Sequence, residues 1–408
     1  MTNRLNCGAE HGLNVSGGAT TANQRHWFFN NTVAIDTTVY RSGAKSFRLD
    51  SAVTPNSMDH TFLVSTDTVI AGVFFFRTDS VAPATTARIH AITLAGGTSR
   101  FDITTGGVLQ MNLGAGAASG PTLSANTFYG VEYEIDVSAN PWTGSWRTWD
   151  AGTWTNRSAP TSRALAASTV GSVRMDNQGV SGVTATGITL WFDDMSFGTS
   201  TAAGTDYGAT ASDVRVLRYR PNADGTHSFA ANDFRYGSAG ANILTSATDV
   251  YTYVDDDDQT SLADFIAQRV VNARGYIELQ CEDEATYTSP RGLTVVQSHH
   301  ASTTGTDSCT TKISDDGFTS STDLWTNDDV SDTTIHQRGR TVDPPSGGAW
   351  TTAKVNSTRI RWGYSSDVVG EPYLDSIALE VAWNVQPVGV VTAYARAAQA
   401  YGSTPGKS

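Results

Sequence analysis

Tyr129-Gly130-Val131-Glu132-Tyr133-Glu134-Ile135-Asp136-Val137 decides the fold class. Tyr129, Val131, Tyr133, Ile135 and Val137 share one phase, and Glu132, Glu134 and Asp136 share the other. A period of two over nine residues is the signature of a half-buried strand, with the apolar phase turned in and the acids turned out. Similar segments follow on both sides. Phe47 and Leu49 alternate within Lys45 to Leu49, and Arg88 to Leu94 alternates in the same way. Arg100 to Ile103 and Val108 to Leu113 flank Thr104 to Gly107 and read as a hairpin. Ile188, Leu190 and Phe192 stay in phase through Gly187 to Asp194. Val69 to Arg77 is almost wholly apolar, as expected of a strand buried on both faces.

Composition agrees. Gly numbers 38 of 408 residues and only 16% are charged, too few to dress long amphipathic helices. With 39% hydrophobic residues, including 10 Trp, 14 Tyr and 15 Phe, the chain has the apolar surface to fold. At about 150 residues per domain the length predicts two or three domains. The expectation is an all-β protein: two tandem jelly-roll-like β-sandwiches, with one short helix in the second. Ser196 to Ala211 is poor in large apolar residues and marks the boundary. This divides the chain into a sandwich at 1–198, a linker at 199–211, a second sandwich at 212–386 and a tail at 387–408.

In the second unit, Val214 to Tyr219, Tyr251 to Val254, Tyr276 to Cys281, Leu293 to Gln297, Thr358 to Gly363 and Ser376 to Trp383 read as strands. Ser261 to Val271 reads as the helix: Ser261 caps it, and Leu262, Phe265, Ile266 and Val270 share a face. The tail offers Val388, Val390, Val391 and Tyr394 as an apolar assembly contact.

The net charge of −13 argues against a nucleic-acid or anionic-membrane partner. Lys occurs only at Lys45, Lys312, Lys354 and Lys407. Met1 to Gly12 lacks the apolar core of a signal peptide, so synthesis in a cytoplasm is expected. Cys7, Cys281 and Cys309 cannot all pair with one another; free thiols are expected, with a Cys281–Cys309 bridge as the alternative.

No nucleophile elbow, phosphate cradle or trusted zinc spacing is present, and no enzyme activity is expected. A glycan depolymerase would need two carboxylates facing each other across a cleft, and Glu132, Glu134 and Asp136 on one strand face supply at most one. No cofactor is expected. Ca²⁺ is the one candidate ion, with Asp193 and Asp194 or Asp255 and Asp257 as oxygen ligands, the alternative being solvated turns. Trp142, Trp146, Trp149 and Trp154 cluster in one short segment. They read either as platforms for sugar rings or as packing against a neighbour.

The first unit resembles the concanavalin A-like, laminin-G-like jelly-roll family. The resemblance rests on Cys7-Gly8-Ala9-Glu10-His11-Gly12, Ser42 to Leu49 and the closing Ile188 to Gly198. No Ca²⁺ or sugar ligand of that family is carried over. The second unit looks like a domain of structural proteins of tailed bacteriophages, notably minor tail and virion-surface proteins. Here the carriers are Val250 to Asp258, Tyr276 to Glu278, Gly348 to Asn356 and Asp375 to Trp383. The stretch His299 to Pro345 is longer than that family implies. Together the resemblances imply a virion protein acting by assembly and display, made in the host cytoplasm. Its partners would be other virion proteins and copies of itself. The rival expectation is a carbohydrate-binding module for host surface glycans; capsid decoration is a further variant.

Overall fold

The computed structural model describes residues 2–7, 28–30, 33–43, 45–50, 56–61, 66–114, 116–161, 164–180, 184–201, 213–230, 233–236, 242–244, 249–255, 265–269, 275–301, 308–329, 336–364 and 371–385. The described residues are almost entirely antiparallel β, in four sheets. The fold class read from the sequence is the one observed.

Two sheets come from the first half. One runs in the order Thr153–Asn156, Thr143–Asp150, Phe128–Asp136, Val69–Thr78, Thr189–Ser200, Ser46–Asp50, Val33–Asp36, with Thr2–Cys7 paired to Thr189–Ser200. The second runs Ala117–Thr122, Val108–Asn112, Gly97–Ile103, Ala87–Leu94, Val170–Gly179, Asn56–Thr61, Phe28–Asn30. Their facing sides bury one apolar core that includes Phe47, Leu49, Ile70, Phe74, Phe76, Phe101, Tyr133, Met175 and Phe192. The expected hairpin is present, with Phe101 opposite Met111 and Ile103 opposite Leu109.

The second half repeats the plan. The third sheet centres on Pro372–Val385, which pairs with Pro290–Ala301, Ile266–Gln268 and Asp213–Tyr219. The fourth runs Pro221–Asp224, Tyr276–Cys281, Arg359–Gly363, Ser308–Ser314, Thr322–Asp329. Between them lies a second core with Leu279, Val295, Ile313, Ile360, Trp362, Leu379, Val381 and Trp383. Cys281 and Cys309 are buried free thiols in it, not bridged to each other. Burial pushes the Cys281 thiol up to about 12, which makes it an inert packing residue.

Val69–Thr78 explains its own apolar run. Ile70, Phe74 and Phe76 face the first core. Val73 and Phe75 face away, into a third buried cluster shared with Val214, Val216 and Ala382. The outer side of this strand is covered by the second half of the chain. Burial of each such side chain is worth roughly 1.5–3 kcal/mol relative to exposure.

Three local expectations change. Ile266–Gln268 is a strand inside the stretch read as a helix, paired to Phe234–Tyr236 and Pro372–Val385. Sheet pairing overrides a weak helical propensity there; the stretches 256–264 and 270–274 on either side lie outside the described residues. The short helix of the second half is instead Thr352–Asn356, capped by the Thr351 side chain. Val250–Tyr253 is a 3-10 turn rather than a strand, because the Asp224 carboxylate accepts from the backbone N–H groups of Val250 and Tyr251, each at 3.0 Å. Tail residues Val388, Val390, Val391 and Tyr394 lie outside the described residues.

Candidate functional site

Several residues singled out in the sequence meet at the junction between the two halves. The strand Thr189–Ser200 bulges between Asp193 and Ser196, and Asp194 takes a left-handed φ of 49°. Asp tolerates that conformation better than bulkier side chains do. The bulge turns both carboxylates inward. Asp193 accepts from the backbone N–H groups of Arg41 at 2.8 Å and Ser42 at 3.1 Å. Asp194 accepts from Arg41 Nη1 at 2.5 Å, Ser42 Oγ at 2.6 Å and the N–H of Val216 at 2.7 Å. Arg41 Nη1 also donates to Val214 O at 2.9 Å, so a single side chain ties the first half to the third sheet. Its guanidinium lies 3.4 Å above the centre of the Phe75 ring.

This corrects the reading of Asp193 and Asp194. They are neither solvated nor open to Ca²⁺; both are fully buried and their oxygens accept from N–H and O–H donors. Burial, and then the neighbouring Asp194 charge, push the Asp193 carboxyl well above the usual range. Asp255 is half-buried, and Asp257 lies outside the described residues. Among the described residues no group of three or more His, Cys, Asp or Glu is placed to hold a metal ion.

Two of the four tryptophans pack within the first core, and two are half-buried against Phe75. Trp142 and Trp146 are buried, and their indole N–H groups donate to Ala166 O at 3.0 Å and Ser158 O at 2.9 Å. Neither ring has a face open to a sugar. Trp149 and Trp154 are cross-strand partners, and both set an edge against Phe75, with centroids 5.6 and 6.1 Å away. The short segment that holds them folds as a hairpin, so these rings divide between the core and the junction. Glu132, expected to point outward into solvent, is also buried at this junction, bonded to Arg147 and 3.5 Å from Arg291 Nη2.

Gly130 makes the ring packing possible. A Cβ there would lie 2.5 Å from Phe75 Cε1 and 2.9 Å from Trp149 Cβ. Gly130→Ala should therefore cost about 1–3 kcal/mol, read as a lowered urea midpoint at unchanged slope. An unchanged midpoint would mean that Phe75 is free to move.

A different surface carries the concentrated polar chemistry. Met58, Ile92, Phe101, Val173 and Met175 of the second sheet point into the first core. The opposite phase presents Asp59, Arg174, Asp176, Arg88, Asp102 and Arg100. These form one connected row across four adjacent strands. Arg174 stands opposite Asp59, and their side chains are bonded. Arg88 Nε donates to Asp176 Oδ2 at 2.5 Å, and Arg88 also stands opposite Asp102. Arg100 Nε donates to Asp102 Oδ2 at 2.7 Å. Asp102 Oδ1 and Asp176 Oδ1 are buried without a hydrogen-bond partner. Burial raises Asp59 and Asp102, and raises Asp176 to about 6 against the opposing pull of Arg88. The sequence signal was an acid and an arginine two residues apart in two of these strands, Arg100 with Asp102 and Arg174 with Asp176.

A cleft of about 350 Å³ opens beside the junction, lined by Gly43, Leu217, Arg218, Tyr219, Arg220, Glu282 and Asp283.

No family model matches the chain, and no curated protein matches it by sequence. Three solved structures illustrate the likenesses found by fold. The tandem CBM22 domains of Paenibacillus barcinonensis Xyn10C align over 92% of this chain and 97% of theirs, at 9% identity and a TM-score of 0.25. The binding domain of botulinum neurotoxin DC, solved in complex with SialylT, aligns over 77% of this chain and 88% of its own, at 8% identity and a TM-score of 0.31. A sialidase aligns over 49% of this chain at 12% identity and a TM-score of 0.32, and the chain spans only 18% of that protein. At these scores none of them bears on what this chain binds.

Proposed function

We propose that this chain is a carbohydrate-binding protein that takes a glycan across the open face of its second sheet. The row of three arginines and three aspartates on that face carries the reading. Guanidinium groups present several donors in a fixed plane, which suits the closely spaced oxygens of a sugar. Each carboxylate of the row is held by an arginine, which suits binding better than acid–base chemistry. The experiment is a glycan array with the wild-type chain and the Arg174→Gln variant. One charge-assisted hydrogen bond is worth about 1.5–3 kcal/mol, so the variant should bind its best glycan at least about tenfold more weakly. Stability should hold to within about 1 kcal/mol, because the pair is partly exposed. Absence of glycan binding by the wild-type chain would end this reading.

A second reading, a component of a tailed-phage particle, is supported by the tied junction, which suits a rigid displayed body. It requires the chain in purified particles, where quantitative mass spectrometry would detect it. A few copies per particle would place it in the tail; tens to hundreds would make it a surface decoration.

A further inference from the structure

We infer that the open face of the second sheet selects acidic polysaccharides, through sugar carboxylates held by Arg174, Arg88 and Arg100. This rests on the reading of that face as glycan-binding.

The argument starts from which atoms a ligand can touch. In every pair of the row the cation is the more exposed member. The side-chain exposures are 37% for Arg174 against 19% for Asp59, 20% for Arg88 against 0% for Asp176, and 33% for Arg100 against 4% for Asp102. The carboxylates form an inner layer and the guanidinium groups an outer one. Each arginine meets its aspartate through Nε, the nitrogen nearest the chain. The outer layer is therefore rich in donors, while the spare acceptors, Asp102 Oδ1 and Asp176 Oδ1, are buried beneath it.

A ligand suited to such a surface brings acceptors. A sugar hydroxyl brings one donor with each acceptor, and that donor has no reachable partner among these oxygens. A sugar carboxylate brings two acceptors and no donor, in the spacing that a guanidinium fork matches. The three arginines sit on neighbouring strands, roughly 4.8 Å apart per strand, so a chain with repeated carboxylates can meet more than one of them. The aspartates balance the arginine charge but lie beneath it, so an approaching anion meets the guanidinium groups first. The row is thus locally receptive to an anion on a chain whose net charge is −13. Binding must then be local, and salt should weaken it.

The test uses the full chain and two immobilised polymers, polygalacturonate and hyaluronan, each beside its carboxyl-reduced, neutral counterpart. Binding to at least one acidic polymer is expected, weakened at least tenfold by carboxyl reduction. The Arg100→Gln/Arg174→Gln double variant, shown to be folded by circular dichroism, should lose at least tenfold in affinity, and Arg100→Lys/Arg174→Lys should recover part of it. Equal, arginine-dependent binding to the reduced polymer would overturn the inference and leave the glycan reading standing. Binding to neither acidic polymer, with a neutral glycan bound on the array, would do the same. Binding to no glycan at all would overturn both. Unchanged binding by a folded Gln double variant would show that the acidic polymer sits elsewhere.

Discussion

Arg41→Ala is expected to destabilise the protein by about 3–5 kcal/mol, the usual cost of stripping one partner from a buried ion pair. Asp194 would remain fully buried. It would keep the hydroxyl of Ser42 and the N–H of Val216, but no countercharge from Arg41. The bond to Val214 O would go as well, and so would the cation above Phe75. All of these contacts lie between the two halves of the chain or at their margin. The loss should therefore fall on the junction more than on either core. Calorimetry should show one thermal transition for the wild type and two for the variant. Replacing both partners, as Arg41→Met with Asp194→Asn, should recover much of the lost stability, because Asn tolerates the left-handed backbone and no charge is then left unmatched at position 194. A single transition shifted by less than about 1 kcal/mol in Arg41→Ala would mean that the apolar cluster alone holds the halves together.

The second large effect is on acid stability. His90 is fully buried among Phe74, Phe101, Tyr133 and Phe197. Its Nδ1 lies 2.9 Å from Arg174 O and its Nε2 2.8 Å from Tyr133 Oη. Burial holds the imidazole down to about 3, from 6.5. The unfolded chain therefore takes up a proton that the folded chain refuses. The stability from keeping His90 neutral is complete above pH 6.5 and is lost as pH falls toward 3. By pH 4 the loss is about 3 kcal/mol, at 1.36 kcal/mol per pH unit. Asp176 works the other way. Its folded value of about 6 exceeds 3.8, so its ionisation is a burden above pH 6 that lifts as pH falls toward 3.8. The wild type should thus lose less stability in acid than His90 alone would dictate. Comparison with His90→Gln isolates the histidine. The stability advantage of the wild type over the variant should shrink by about 3 kcal/mol between pH 7 and pH 4. A constant difference would mean that the imidazole can take its proton inside the fold.

The strands that build the two cores were legible because a half-buried strand must alternate, and Tyr129 to Val137 or Ile377 to Trp383 cannot satisfy any other period. The apolar run at Val69 to Phe76 also said correctly that both faces are covered. It did not say by what, since Val73 and Phe75 look the same against a helix, a subunit or a second sandwich. That gap hid the roles of Trp149, Trp154, Asp193 and Asp194, whose partners come from the other half of the chain or from distant strands. Glu132 misled for the same reason: an acidic phase reads as solvent-facing until arginines at positions 147 and 291 close over it. The charged row escaped notice because no single segment contains it. Arg174 and Asp59, for instance, are 115 residues apart.

The junction has a consequence for avidity. Where two binding bodies hang on a slack tether, the second contact with a long ligand repays only what remains after the tether's freedom is lost. Here Arg41, Asp194 and the strand carrying Val214 and Val216 have already fixed one body against the other. Whatever each half meets, it meets at a spacing set in advance, because the freedom of one half relative to the other is lost once, on folding, and not again at each encounter.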